Sequence, residues 1–290
     1  MLFDSYARCG LLSVTEAHDL LALPSVKILD ASYTLPGVSP SAKEGFQARR
    51  IPGARFFDIE TISDPHSALP HMLPSEDGFA AAMAALGLTP EDCLIIYGQG
   101  DIAMGPARAW WMFRVFGHNK VAVLNGGLKA WEKQGLQIHT APPTPPSVAI
   151  YTTRGFRTDL VADLARVRQA AETNVCPIYD ARPSARFTGA QAEPRAGLRS
   201  GHIPGSLNIP AATLTDPETG LWPGPDVLRG KFETALSSTA ASILTCGSGV
   251  TACALALALF TLGRPDAAVY DGSWAQWGAE DQRLPIAQGQ

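Results

Sequence analysis

Cys246-Gly247-Ser248-Gly249-Val250-Thr251 separates a β-rich run, Ser242-Ile243-Leu244-Thr245, from an apolar helical pattern between Ala252 and Leu262. A strand, a glycine loop and a helix in that order turn backbone N–H groups and the positive end of the helix toward whatever heads the loop, which favours an anion there. A thiolate is such an anion, and the thiolate rather than the thiol is the nucleophile. Gly247 and Gly249 let the backbone curl without side-chain obstruction, and Thr251 stands where it can help begin the helix. A free cysteine can equally be a small buried hydrophobe. The loop context assigns the nucleophile to Cys246, whereas Cys253, inside the apolar helix, reads as core, as do Cys9, Cys93 and Cys176.

A cysteine phosphatase would carry an arginine six positions beyond its nucleophile, and that position here is Ala252. Without a bidentate phosphate clamp that reading fails. Gly98-Gln99-Gly100 with Gly105 misses the spacing of a dinucleotide-binding loop. Cationic groups for an anionic substrate must come from elsewhere in the second half, where Arg186 and Arg195 lie in a long polar segment between Asp180 and Gly201; they are either solvated surface arginines or substrate ligands, and a segment of that length in compact domains usually signals function. Arg182, beside Asp180, and His202, ahead of Ile203-Pro204-Gly205, read as structural. The irregular segment from Asp64 to Pro74 offers His71. It is either an exposed loop histidine or, if the segment reaches the second half, the partner of Ser248 with Glu60 or Asp64 orienting the imidazole.

These groups need elements to hold them, and the chain writes its elements twice. Ile28-Leu29-Asp30-Ala31 returns as Ile178-Tyr179-Asp180-Ala181, Ile51-Pro52-Gly53 as Ile203-Pro204-Gly205, and Asn125-Gly126 with Trp131 as Asp271-Gly272 with Trp277. The counterpart of the Cys246 segment is Leu94-Ile95-Ile96-Tyr97-Gly98-Gln99-Gly100, which has no cysteine. Strands such as Leu94 to Tyr97 and Val121 to Leu124 alternate with helical patterns over Glu16 to Ala22 and Leu160 to Ala171, the former opened by a capping box at Ser13 to Glu16. Each half is therefore expected to be an α/β domain, a mainly parallel sheet with helices on both faces. Ala141-Pro142-Pro143-Thr144-Pro145-Pro146 suits an extended linker. The expected division is a non-catalytic domain over 1–138, a linker over 139–151 and a catalytic domain over 152–290.

The 290 residues suit two domains, and 46% hydrophobic composition fills two cores. A net charge of −4 argues against nucleic acid as a partner, and no apolar stretch reaches membrane-spanning length. Asp4, Arg8 and Cys9 do not make a signal peptide, and five scattered cysteines form neither a disulfide framework nor a metal site. No metal or organic cofactor is expected, and a reducing, cytoplasmic setting fits best.

The duplicated Ile-Pro-Gly turn, Trp110-Trp111-Met112-Phe113, Asn125-Gly126-Gly127 and the Cys246 to Thr251 loop together resemble the two-domain rhodanese-type sulfurtransferases over essentially the whole chain. The resemblance implies two tandem rhodanese-like domains. Within that family Cys-Gly-Ser-Gly-Val-Thr is similar to the loop of the 3-mercaptopyruvate enzymes, whereas thiosulfate enzymes resemble Cys-Arg-Lys-Gly-Val-Thr. It further implies a persulfide on Cys246, Arg186 and Arg195 on the donor's carboxylate and carbonyl, and a relay of Ser248, His71 and an acid, Glu60 or Asp64. The partners it implies are a small-molecule sulfur donor and an acceptor, either a thiol (thioredoxin or a small thiol) or cyanide.

Overall fold

A computed structural model describes residues 9–35, 37–100 and 104–289. Asp4 and Arg8 lie outside the described residues. By its contacts the chain forms two units, the first holding the residues up to Pro65, Leu73–Arg157 and Thr215–Trp222, the second His66–Met72, Thr158–Leu214 and Pro223–Gln290.

In the first unit the elements run β1 (Leu11–Leu12), α1 (Val14–Leu20), β2 (Val26–Asp30), α2 (Ala42–Ala48), β3 (Arg55–Phe56), α3 (Glu76–Ala85), β4 (Cys93–Tyr97), α4 (Met104–Val115), β5 (Val121–Leu124) and α5 (Gly127–Lys133). In the second they run β6 (Val161–Ala162), α6 (Leu164–Thr173), β7 (Ile178–Asp180), α7 (Ser184–Phe187), β8 (Leu207–Asn208), α8 (Pro225–Lys231), α9 (Glu233–Ser237), β9 (Ile243–Thr245), α10 (Ala252–Thr261), β10 (Ala268–Tyr270) and α11 (Ser273–Trp277). Each unit has one five-stranded sheet, ordered β1-β5-β4-β2-β3 and β6-β10-β9-β7-β8, with every pairing parallel. The two orders are one topology written twice.

The central strands β4 and β9 are buried from Leu94 to Tyr97 and throughout Ile243 to Thr245. Successive residues of a strand point to opposite faces, so both faces are covered, as an all-parallel sheet requires. α10 is apolar on every side and buried from Ala252 to Leu259, which makes it a core helix rather than an amphipathic one. The capping box at α1 forms: Ser13 Oγ accepts from the Glu16 N–H and the Glu16 carboxylate accepts from the Ser13 N–H.

Several expectations need correction. Leu160 to Ala171 is not one helix, because Val161 and Ala162 pair with β10 and Asp163 then caps α6 through the Arg166 N–H. The proline-rich stretch has no regular structure, but the chain continues with the first unit to Arg157. There the N–H groups of Ala149, Arg154 and Arg157 donate to the carbonyls of Ala84, Phe116 and Val115. Thr215–Trp222 also belongs to that unit, where the Trp222 N–H reaches Asn125 Oδ1 at 2.9 Å. Of the cysteines read as core only Cys253 is buried; Cys93 and Cys176, at or just before strand starts, are half-buried and Cys9 is exposed.

The repeat extends to hydrogen bonds. Ala31 donates to Tyr97 O as Ala181 does to Thr245 O, and Leu128 donates to Gly98 O as Trp274 does to Cys246 O. Gly98 therefore stands at the position of Cys246, and Gly127 at that of Ser273.

Candidate active site

Cys246 sits at the C-terminal end of the central strand β9, the end at which open α/β sheets gather their ligands. It is 1% exposed. Its loop reverses through Gly249, whose φ of +75° suits a residue without Cβ. Among the described residues, the N–H groups of Gly247, Ser248, Val250 and Thr251 donate to no protein acceptor. α10 follows at once. Thr251 occupies its N-cap but makes no side-chain cap bond, contrary to the expectation for it; the first-turn N–H groups of Cys253 and Ala254 donate instead to the Val250 and Thr251 carbonyls.

Ser273 was not singled out from the sequence. Its Oγ accepts from the N–H groups of Cys246 (3.2 Å) and Gly249 (3.0 Å), donates to the Tyr270 carbonyl (2.7 Å), and lies 3.9 Å from Cys246 Sγ. It is fully buried and adopts φ +48°, a conformation that costs a non-glycine residue on the order of 1 kcal/mol. The Asp271-Gly272 repeat marker, one residue ahead of it, was the available signal.

His71 belongs to the same unit as Cys246. Its Nδ1 lies 3.0 Å from Ser248 Oγ, and both residues are buried, at 6% and 8% exposure. His71 adopts φ +60°, so its backbone is also held in a disfavoured region. Glu60 and Asp64 belong to the first unit. The Glu60 N–H donates to Asp58 Oδ1, and its side chain borders a groove with Ser32, Lys43 and Asp58.

The polar segment after β7 is less irregular than expected, since α7 presents Arg186. A Cβ placed on Gly247 would lie 3.2 Å from Arg186 Nη2 and 4.0 Å from Arg195 Nη1. Both guanidinium groups thus converge on the loop beside Cys246, in space that a side chain at 247 would claim. Arg195 is half-exposed and makes no ion pair among the described residues.

Arg182 is structural, as read. Its Nε and Nη2 grip Asp180, the latter at 2.6 Å, its Nη1 donates to Glu193 Oε1 at 2.7 Å, and its guanidinium lies 4.2 Å over the Trp274 ring. Burial opposes its charge, but Asp180 and Glu193 outweigh burial and raise its pKa above the ordinary value. Arg186 also binds Glu193, through Nε to Oε1 at 3.2 Å and through Nη2 to Oε2. His202 is structural too: Nδ1 contacts the Phe187 carbonyl at 2.8 Å and the ring stacks on Phe187. The end of the chain fastens this segment, with Gly289 N–H donating to Thr188 O and His202 pairing with Ala287.

The arrangement offers a sulfur nucleophile, a set of free N–H donors for negative charge, two guanidinium forks and a hydroxyl–imidazole pair for a proton. Among the described residues no group of three or more His, Cys, Asp or Glu side chains is placed to hold a metal ion, and no helix is long and apolar enough to cross a membrane.

Comparison with known proteins shows the family. The rhodanese-like domain family matches twice, over residues 13–134 and 162–280. The 3-mercaptopyruvate sulfurtransferase of Escherichia coli K12 is 41% identical over 264 residues, covering 91% of this chain and 92% of that protein. The thiosulfate sulfurtransferase of Bos taurus is 42% identical over 257 residues, covering 88% and 85%. The crystal structure of the Tum1 protein from Saccharomyces cerevisiae superposes with a TM-score of 0.86 at 30% identity, covering 96% of this chain and 97% of that one.

Proposed function

Since the chain belongs to the rhodanese-like family, with two copies of the domain, we propose that it is a 3-mercaptopyruvate sulfurtransferase working through a persulfide on Cys246. The observation that carries this reading is the convergence of Arg186 and Arg195 on Gly247, beside a buried cysteine whose loop turns unengaged N–H groups inward. The overall identities to mercaptopyruvate and thiosulfate enzymes are nearly equal, at 41% and 42%. The choice between donors therefore rests on the loop, where Gly247 and Ser248 add no charge. A donor with one carboxylate beside a ketone fits that site better than dianionic thiosulfate.

The Cys246 thiolate attacks the donor sulfur, and the carbon–sulfur bond breaks with its electron pair passing to carbon as the enolate of pyruvate. Arg186 and Arg195 bind the carboxylate and carbonyl, where planar forks suit both groups and stabilise the enolate charge. The donor's thiol proton passes through Ser248 and His71 to the enolate carbon, with Glu60 or Asp64 orienting the imidazole, and the persulfide anion remains. The loop N–H groups hold that anion. An acceptor thiol, on thioredoxin or a small molecule, or cyanide, then attacks the outer sulfur and releases the Cys246 thiolate. A cysteine nucleophile that must return to the thiolate in each cycle suits a reducing, cytoplasmic compartment.

Cys246→Ser is expected to abolish pyruvate release from mercaptopyruvate while the circular dichroism stays that of the parent; retained turnover would remove the assignment. The donor is tested by kcat/KM for mercaptopyruvate against thiosulfate with one common acceptor. A ratio above one is expected, and a ratio below one makes the chain a thiosulfate:cyanide sulfurtransferase.

A further inference from the structure

Glu193 was given no role from the sequence. Its carboxylate is 1% exposed and lies between two guanidinium groups, accepting from Arg182 Nη1 and from Arg186 Nε and Nη2. Arg182 already has a full partner in Asp180. In charge terms Glu193 is therefore the partner of Arg186. A grip through Nε and Nη2 fixes the plane of the Arg186 fork and leaves its other edge to a ligand. That plane carries Nη2 to within 3.2 Å of where a Gly247 Cβ would be. Arg182, Arg186 and Arg195 carry three positive charges against the two negative charges of Asp180 and Glu193, so a single positive charge is left over among these five groups. Removing Glu193 doubles that surplus.

We propose that Glu193 is a positioning and specificity-setting residue of the donor site: it orients Arg186 and trims the positive charge so that a donor with one negative charge is favoured over a dianion. The inference rests on the reading of the chain as a sulfurtransferase fed by a mercapto-keto acid. An added unit of positive charge attracts a dianion twice as strongly as a monoanion, and at these separations the difference amounts to about tenfold in relative binding at low salt.

The test compares full-length parent, Glu193→Gln and Glu193→Asp, each with mercaptopyruvate and with thiosulfate, at low and high ionic strength. For Glu193→Gln the ratio of thiosulfate to mercaptopyruvate kcat/KM is expected to rise about tenfold, mainly through KM, and to shrink with added salt. Glu193→Asp keeps the charge but shortens the reach, so both values should fall while the ratio stays that of the parent. Equal losses with both donors in Glu193→Gln would reduce Glu193 to a structural role and overturn the proposal, as would a ratio shifted alike in both variants. Should Glu193→Gln not fold, shown by loss of the parent's circular dichroism, Glu193→Asp decides alone, and a shifted ratio overturns. A parent enzyme that prefers thiosulfate would instead sink the functional reading, before any variant is made.

Discussion

After β9 the chain places Cys246, and after β4, on the same backbone path, it places Gly98. Both carbonyls accept a 2.9 Å bond from the turn that follows the next strand, Trp274 in one case and Leu128 in the other. The layers behind them part company. Ser273 holds its hydroxyl between loop amides, while Gly127, at φ +55°, comes so near that a Cβ there would lie 2.3 Å from Gly98 O. Pro106 fills the space a side chain at 98 would need, with Cγ 2.9 Å from the position of such a Cβ. Asp180 grips the buried Arg182, whereas Asp30 accepts from neutral Ser32 and Gln99, and burial raises its pKa. The fold needs the backbone crossing alone. The chemistry needs an unfilled loop and a charged layer behind it.

The largest effect should come from moving the nucleophile. In a Cys246→Ser background, Gly98→Cys is expected to recover no sulfur loading, read as the gain of one sulfur atom by intact mass, because the Pro106 ring occupies the site. Detectable loading at position 98 would break the comparison at its root.

Charge behind the loops comes next. Asp180→Asn leaves Arg182 buried with half its partners and should cost about 3–5 kcal/mol. Asp30→Asn strands no buried cation, since the partners of Asp30 are the neutral Ser32 and Gln99, and should cost less, about 1–3 kcal/mol. Hydrogen exchange of the β9 and β4 amides measures the two separately, and equal losses would show that the two carboxylates are equivalent.

The smallest effect separates the units by pH. Burial lowers the His118 pKa from 6.5 to about 4 in the first unit, where Nδ1 contacts the Tyr151 hydroxyl at 3.0 Å. A pKa depressed on folding means that the unfolded chain binds more protons between those values. The stability is therefore complete above pH 6.5 and lost as pH falls toward 4, by up to about 3 kcal/mol. Asp30, raised by burial, acts oppositely, its contribution being lost as pH rises through its folded value. The amides of β4 should lose protection on acidification, and His118→Gln should flatten that loss; an unchanged slope in the variant would refute the account.

Much of this architecture was legible because its signals are local. A cysteine, two glycines and an apolar helix stand in one run, the repeated turns carry their own prolines and glycines, and Arg182 lies two residues from the carboxylate it binds. Ser273 and Glu193 escaped because their partners are brought by folding, Ser273 from the turn after another strand and Glu193 from between two arginines. Nothing local marks His66–Met72 and Thr215–Trp222 as belonging with the other half's unit. Half-buried Cys93 and Cys176 show the limit of composition, since a cysteine at the beginning of a buried strand need not share the strand's burial.

The tight closure around Gly98 also bears on descent. A cysteine returned to that position meets Pro106, and a serine returned to position 127 meets the Gly98 carbonyl, so each reversion is harmful until the other changes are made. Placing a nucleophile in the first copy would thus take several changes at once. Chemistry is thereby confined to a single loop, and the other serves packing alone.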